Sequence, residues 1–126
     1  MVTHPQQERD RGAALVEFAL ILPLLILLVF GVIEFGRGYH TKTTLTHAAR
    51  EGVRVAALQS GDPASTVRDA APNLDPARIG VTVAPSPCVP GQPVTVTVTY
   101  DHEYNIPLFN DGTWNFVEEG VMRCGG

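Results

Sequence analysis

The sequence predicts an α+β chain: one long N-terminal helix, apolar in its first half and amphipathic in its second, followed by a small antiparallel sheet. Three observations carry this. Ala13 to Phe35 (AALVEFALILPLLILLVFGVIEF) is an almost unbroken apolar run, and small or apolar residues then recur at spacings of three and four from Leu45 to Ala56. Beyond Arg78, valine and threonine alternate in short runs bounded by proline and glycine. The first two are helical periods and the third is the period of a half-buried strand.

A helix over the apolar run rises about 34 Å at ~1.5 Å per residue, enough to cross a hydrocarbon core of roughly 30 Å. Residues 13–36 are therefore the expected membrane span. A removed secretory signal would also place basic residues such as Arg9 and Arg11 before an apolar stretch. This stretch outlasts a usual signal, however, and no small-x-small cleavage site follows it, since Gly31 to Gly38 also holds Glu34, Phe35 and Arg37. Pro23 lacks a backbone donor and crowds the carbonyl of Ala19, which predicts a kink inside the span. Gly31, Gly36 and Gly38 weaken the helix and predict a hinge where it leaves the bilayer.

Residues 37–60 read as an amphipathic continuation. Leu45, Ala48, Ala49, Gly52 and Ala56 form a stripe, with Lys42, His47, Arg50, Glu51 and Arg54 largely on the other faces. A stripe of such small residues lets another backbone approach closely, from a neighbouring subunit or, as the expected case, from the chain's own domain. Gly61 is the expected stop of the long helix, Asp62 the N-cap and Pro63 the first-turn residue of a short helix reaching about Ala71.

Residues 61–126 then form a small domain outside the membrane. Arg78 to Ala84 and Val94 to Tyr104 are expected to pair antiparallel across the loop PSPCVPGQP. Phe109 to Val117 and Glu118 to Arg123 add one or two strands, turned by Asn110-Asp111-Gly112. Cys88 and Cys124 would pair in an oxidising compartment, closing a loop worth roughly 3 to 4 kcal/mol. The alternative is two free thiols on a cytoplasmic tail.

Composition excludes several functions. Of 126 residues, about 90 remain beyond the leader and the span, enough for one small domain and not for a second one or a large cleft. The formal charge is −4 with nine Lys and Arg spread along the chain, so no face suits nucleic acid. His4, His40, His47 and His102 are scattered, with no HExxH, no triad pattern and no phosphate-cradling glycine loop. Asp101-His102-Glu103 reads as a solvated strand end rather than a metal site, because consecutive strand residues face opposite ways. Glu118-Glu119 reads as a solvent-facing acidic turn. No catalytic, cofactor-binding or metal residue is expected, and the chain is not read as an enzyme.

The residues around Gly12 are the most specific. A charged leader (QQERDRG) ends at Gly12, the apolar run starts at Ala13, and Glu17 and Phe18 follow. A carboxylate one turn into a membrane helix is costly, by about 2.5 to 3.5 kcal/mol at the bilayer centre and less near the interface, and so calls for a partner. Were the chain cut after Gly12, the new amino group of Ala13 would supply one, within the helix or between staggered neighbours. The alternative is a glutamate snorkelling to the headgroups. Charge leaves orientation undecided or even favours a cytoplasmic C-terminus, since Arg9 and Arg11 are offset by Glu8 and Asp10 while Arg37 and Lys42 stand beyond the span. The cysteines and the Gly12 boundary make a cytoplasmic N-terminus and an extracytoplasmic C-terminal domain the expected arrangement.

Arg11 to Arg37 resembles the signature of TadE-like proteins, pseudopilins of the tight-adherence (Flp) branch of type IV pili. Gly12, Glu17 and Phe18 fit that branch's prepilin-peptidase pattern, with Phe18 where the major Flp pilins usually carry tyrosine. AAREGVRVAA, Ala48 to Ala57, is similar to the family's second helical block. The resemblance implies a pilin-like fold and a substrate rather than a catalyst: a prepilin peptidase would remove residues 1–12, leaving a mature start at Ala13. It implies a minor pilin-like component or assembly factor in the bacterial cytoplasmic membrane, with other pilins or pseudopilins, the Tad assembly platform of the inner membrane and the lipid bilayer as partners. The alternatives are an unprocessed single-span protein with an extracellular binding domain and, last, a membrane-tethered enzyme.

Overall fold

A computed structural model describes residues 5–126. One helix, α1 (Pro5–Leu58), runs 54 residues, about 80 Å at ~1.5 Å per residue. Residues 1–4 of the expected leader lie outside the described residues, and from Pro5 onward the leader is the first part of α1. The helix passes through Pro23, Gly31, Gly36 and Gly38 as a single element, so the expected hinge is not a break. Gly38 has another use, described below.

The helix ends at Leu58, two residues earlier than Gly61 suggested. Gln59 takes the left-handed conformation (φ 50°) and the Ser60 amide donates to the Val55 carbonyl at 3.2 Å, which closes the last turn. Gly61 is not the stop. Helix α2 (Pro63–Asp69) follows as expected, with the Asp62 carboxylate accepting from the Ala64 and Ser65 amides and Pro63 in its first turn. A 3-10 turn (Pro76–Arg78), capped by Asp75, leads into the sheet.

The sheet has three antiparallel strands in chain order: β1 (Ile79–Ala84), β2 (Pro93–Ile106) and β3 (Asn110–Arg123). The expected one or two strands after Phe109 are a single one, and Asn110-Asp111-Gly112 lies within it, paired with Tyr104 to Ile106. The turn is instead Pro107 to Phe109, where proline cannot donate to the ladder and Leu108 adopts φ 69°. Glu118-Glu119 is not a turn either: both sit mid-strand, opposite Val98 and Thr97.

One core joins the elements. Val94, Val96 and Val98 of β2 are fully buried, each worth about 1.5–3 kcal/mol by removal from water. They pack in one cluster with Leu45, Ala48, Ala49, Val53 and Ala57 of α1 and Val67 of α2. The threonines between them face outward, which is the alternation that marks the strand. At the far end of α1, Cys88 and Cys124 form a disulfide with Cα atoms 5.8 Å apart, and the Gly125 amide donates to the Ala57 carbonyl at 2.8 Å.

Candidate functional site

The functional features lie in three stretches along α1. In the first, Gly12, Ala13, Glu17 and Phe18 are all exposed. Glu17 has neither a hydrogen-bond nor an ion-pair partner among the described residues. From Leu15 to Phe35 nearly every large apolar side chain is exposed as well, and the chain itself covers none of the most apolar stretch. An apolar surface of this extent is unstable in water and matches lipid or the helices of other chains.

The second stretch is the small-residue stripe. Leu45, Ala48, Ala49, Gly52 and Ala56 are buried, and what covers them is the chain's own sheet and α2. A Cβ placed on Gly120 of β3 would stand 2.6 Å from the Ala49 carbonyl oxygen, and one on Gly52 2.5 Å from a Val67 methyl. Small residues on both sides allow helix and strand to meet at backbone distance.

The third stretch was not anticipated. The buried seam continues below Leu45 through Thr41, Gly38 and Glu34, at the same spacings of four and three. Glu34 is only 5% exposed. Its Oε1 accepts from the Arg37 guanidinium at 3.0 Å while its Oε2 has no partner. Across the seam His102 is 7% exposed, with Nδ1 3.3 Å from the Thr41 hydroxyl and Nε2 unpartnered. His102 thus corrects the reading of Asp101-His102-Glu103 as a solvated strand end. It shares the inward parity of Val94, Val96, Val98 and Tyr100, whereas Asp101 accepts from Asn115 at 2.6 Å and Glu103 from Arg78 at 2.8 Å on the outside.

Aromatic rings enclose the imidazole. Trp114 stacks on His102 with centroids 6.0 Å apart, Phe116 lies at 6.0 Å, and Tyr104 tilts against Trp114 at 4.8 Å. Burial pushes the His102 pKa below the ordinary imidazole value; nearby Arg37 adds to the lowering and Glu34 opposes it. The imidazole is accordingly neutral near pH 7. Two signals in the sequence could have located this seam: the parity of β2 and the helical spacing that makes Glu34 and Thr41 part of the stripe.

Glu118 likewise faces α1, accepting from the Thr46 hydroxyl at 3.2 Å, whereas Glu119 points outward. Among the described residues no three metal-ligating side chains gather. The arrangement positions a helix against a sheet.

Residues 12–54 match the family model of TadE-like proteins. That segment runs from the glycine of the charge boundary through the apolar stretch to the small-residue stripe. No curated protein and no solved structure matches the chain.

Proposed function

We infer, from a chain that is TadE-like over residues 12–54 and so associated with the Tad pilus system, that this protein is a minor pilin-like component of the pilus or of its assembly machinery. A prepilin peptidase cuts it between Gly12 and Ala13. The mature helix stays in the cytoplasmic membrane, with its C-terminal domain on the extracytoplasmic side, until other pilins or pseudopilins and the assembly platform take it up.

One observation carries this reading. The sheet buries a face of α1 only from Glu34 upward, and from Ala13 to Ile33 the surface is apolar and almost entirely exposed. A soluble binding domain has no use for such a helix, whereas a subunit that exchanges lipid for neighbouring helices requires it. Glu17 stands exposed near the start of this surface, within one turn of the amino group that cleavage would create. Paired with that amine in low dielectric, it would set the axial register between helices. The disulfide of Cys88 and Cys124 suits an oxidising compartment, which supports the extracytoplasmic placement. The family is one of structural pilus components, and the reading is of a substrate and scaffold rather than an enzyme.

The test is the intact mass of the membrane-extracted protein, expressed with and without its prepilin peptidase. A start at Ala13 only when the peptidase is present supports the reading. An unchanged start in both overturns it and leaves an unprocessed single-span protein with an extracellular binding domain.

A further inference from the structure

We propose that the β2–β3 hairpin tip, Pro107-Leu108-Phe109, is a second membrane-contacting element, immersed in the lipid leaflet beside α1 on the side of the sheet. The inference rests on α1 crossing the bilayer and on neither its orientation nor its processing.

The tip is apolar and uncovered. Leu108 is 90% exposed and Phe109 77%, and Ile106 and Pro107 beside them are half-buried. A turn open to water would favour polar residues at these positions. The apolar segment is sharply bounded by Asn105 and Asp111, which pair across the strands, and by Asn110. Such a cap, apolar at the end and polar one step behind, is the pattern of a segment that enters the interface and stops there.

Its height along α1 follows from the contacts. Gly38 faces Trp114, and Gly120 faces Ala49, so six strand residues traverse the height of eleven helix residues. At ~3.3 Å per strand residue and ~1.5 Å per helix residue the hairpin runs roughly a third of a right angle off the helix axis, descending toward the N-terminus of α1. From Trp114 to Asn110 is four more residues, about 11 Å of descent at that tilt, which brings the tip about seven helix residues below Gly38.

That level lies inside the apolar run. If residues 13–35 occupy the bilayer, a tip beside Leu27 to Gly31 is in the bilayer too. From Ala13, the ~30 Å hydrocarbon thickness is filled by the helix at about Ile33, at ~1.5 Å per residue. The boundary then falls near Ile33, above the tip, with Glu34 screened by the sheet and Arg37 beyond it. Trp114, Tyr104 and Tyr39 lie around this height, the residues that favour the headgroup region.

The test uses the full chain in phosphatidylcholine vesicles carrying acyl-chain-brominated lipids, with the single native tryptophan removed as Trp114→Phe and one reporter introduced at a time. Phe109→Trp reports the tip, Val29→Trp the span and Val121→Trp the outer face of the sheet. Expected is blue-shifted emission from Phe109→Trp, quenched by brominated lipid comparably with Val29→Trp, while Val121→Trp is unquenched. Quenching at Val29→Trp alone overturns the tip's immersion and leaves the span standing. Loss of quenching at both overturns the span and the tip together. Blue-shifted but unquenched emission at the tip means that it is buried against protein, a second copy included, and also overturns the proposal. Should Trp114→Phe disturb the fold, the unaltered chain is photolabelled with a lipid carrying a diazirine on its acyl chain. Adducts mapping to residues 106–109 support immersion, and adducts confined to α1 overturn it.

Discussion

Gly38 of α1 is the seat of the Trp114 indole: a Cβ at this position would lie 2.7 Å from the ring's Cζ3 and 3.1 Å from Cε3. The residue that reads as a helix weakener is the point where the sheet docks on the helix. Trp114 in turn stacks on His102, which reaches Thr41 one helical turn above Gly38. The lower end of the sheet is fixed through these contacts.

The glycines of the chain should therefore behave differently on substitution by alanine. Gly36 has nothing within 4 Å of an added Cβ, so Gly36→Ala should gain up to ~1 kcal/mol of helix stability. Gly38→Ala forces the indole aside and should lose about 1–2 kcal/mol. Gly120→Ala meets the Ala49 backbone, which cannot yield, and should reach about 3 kcal/mol or fail to fold. Denaturant unfolding in micelles ranks them; a loss in Gly36→Ala as large as in Gly38→Ala would refute the docking role. A double variant adding Trp114→Leu should recover part of the Gly38→Ala loss.

His102 should make stability depend on pH. Its pKa is lower folded than unfolded, so the unfolded chain binds the proton more readily. The stability contributed by the neutral imidazole is fully present above the unfolded value of about 6.5 and is lost as pH falls from there through the folded value. His102→Asn should flatten this slope in unfolding midpoints measured across that range. A wild-type midpoint that rises as pH falls would contradict the sign.

Removing the disulfide as Cys88→Ala with Cys124→Ala should destabilise the C-terminal domain. The bridge spans a sequence separation of 36, for which the chain-entropy account gives about 4 kcal/mol. The same bridge holds the chain end against α1 through the Gly125 bond to Ala57. Hydrogen exchange should therefore rise first at the C-terminal end of β3 and around Ala57. Uniform exchange across the sheet would contradict this.

Glu17→Gln should separate processing from assembly. The exposed Glu17 side chain has no partner among the described residues, so the variant should fold, and on the proposed reading it should still be cut after Gly12. If Ala13 begins the mature chain, pilus formation should fall, because a neutral amide forms no ion pair with its amino group. Intact mass reads the first property and pilus yield the second. Normal pili from this variant would show that Glu17 sets no register.

The sequence by itself determined the elements that local pattern governs. The apolar run and the three-four stripe specify one long helix, Asp62-Pro63 its successor, and the Val-Thr alternation the strands, because helical and strand periods are written in consecutive residues. The TadE-like character of residues 12–54 is legible there for the same reason. Only the tertiary structure decided how the hairpin lies along the helix. That register turned Gly38 from a hinge into a docking seat and buried His102 opposite Thr41. It also drew Glu34 into the seam and brought Leu108 and Phe109 level with the apolar run. Each depends on pairing between residues 60 to 80 positions apart, which no local period encodes, and on Pro107, which moved the turn away from the Asn-Asp-Gly sequence that resembles one. Local preference chose the pieces, and their burial against one another chose the register.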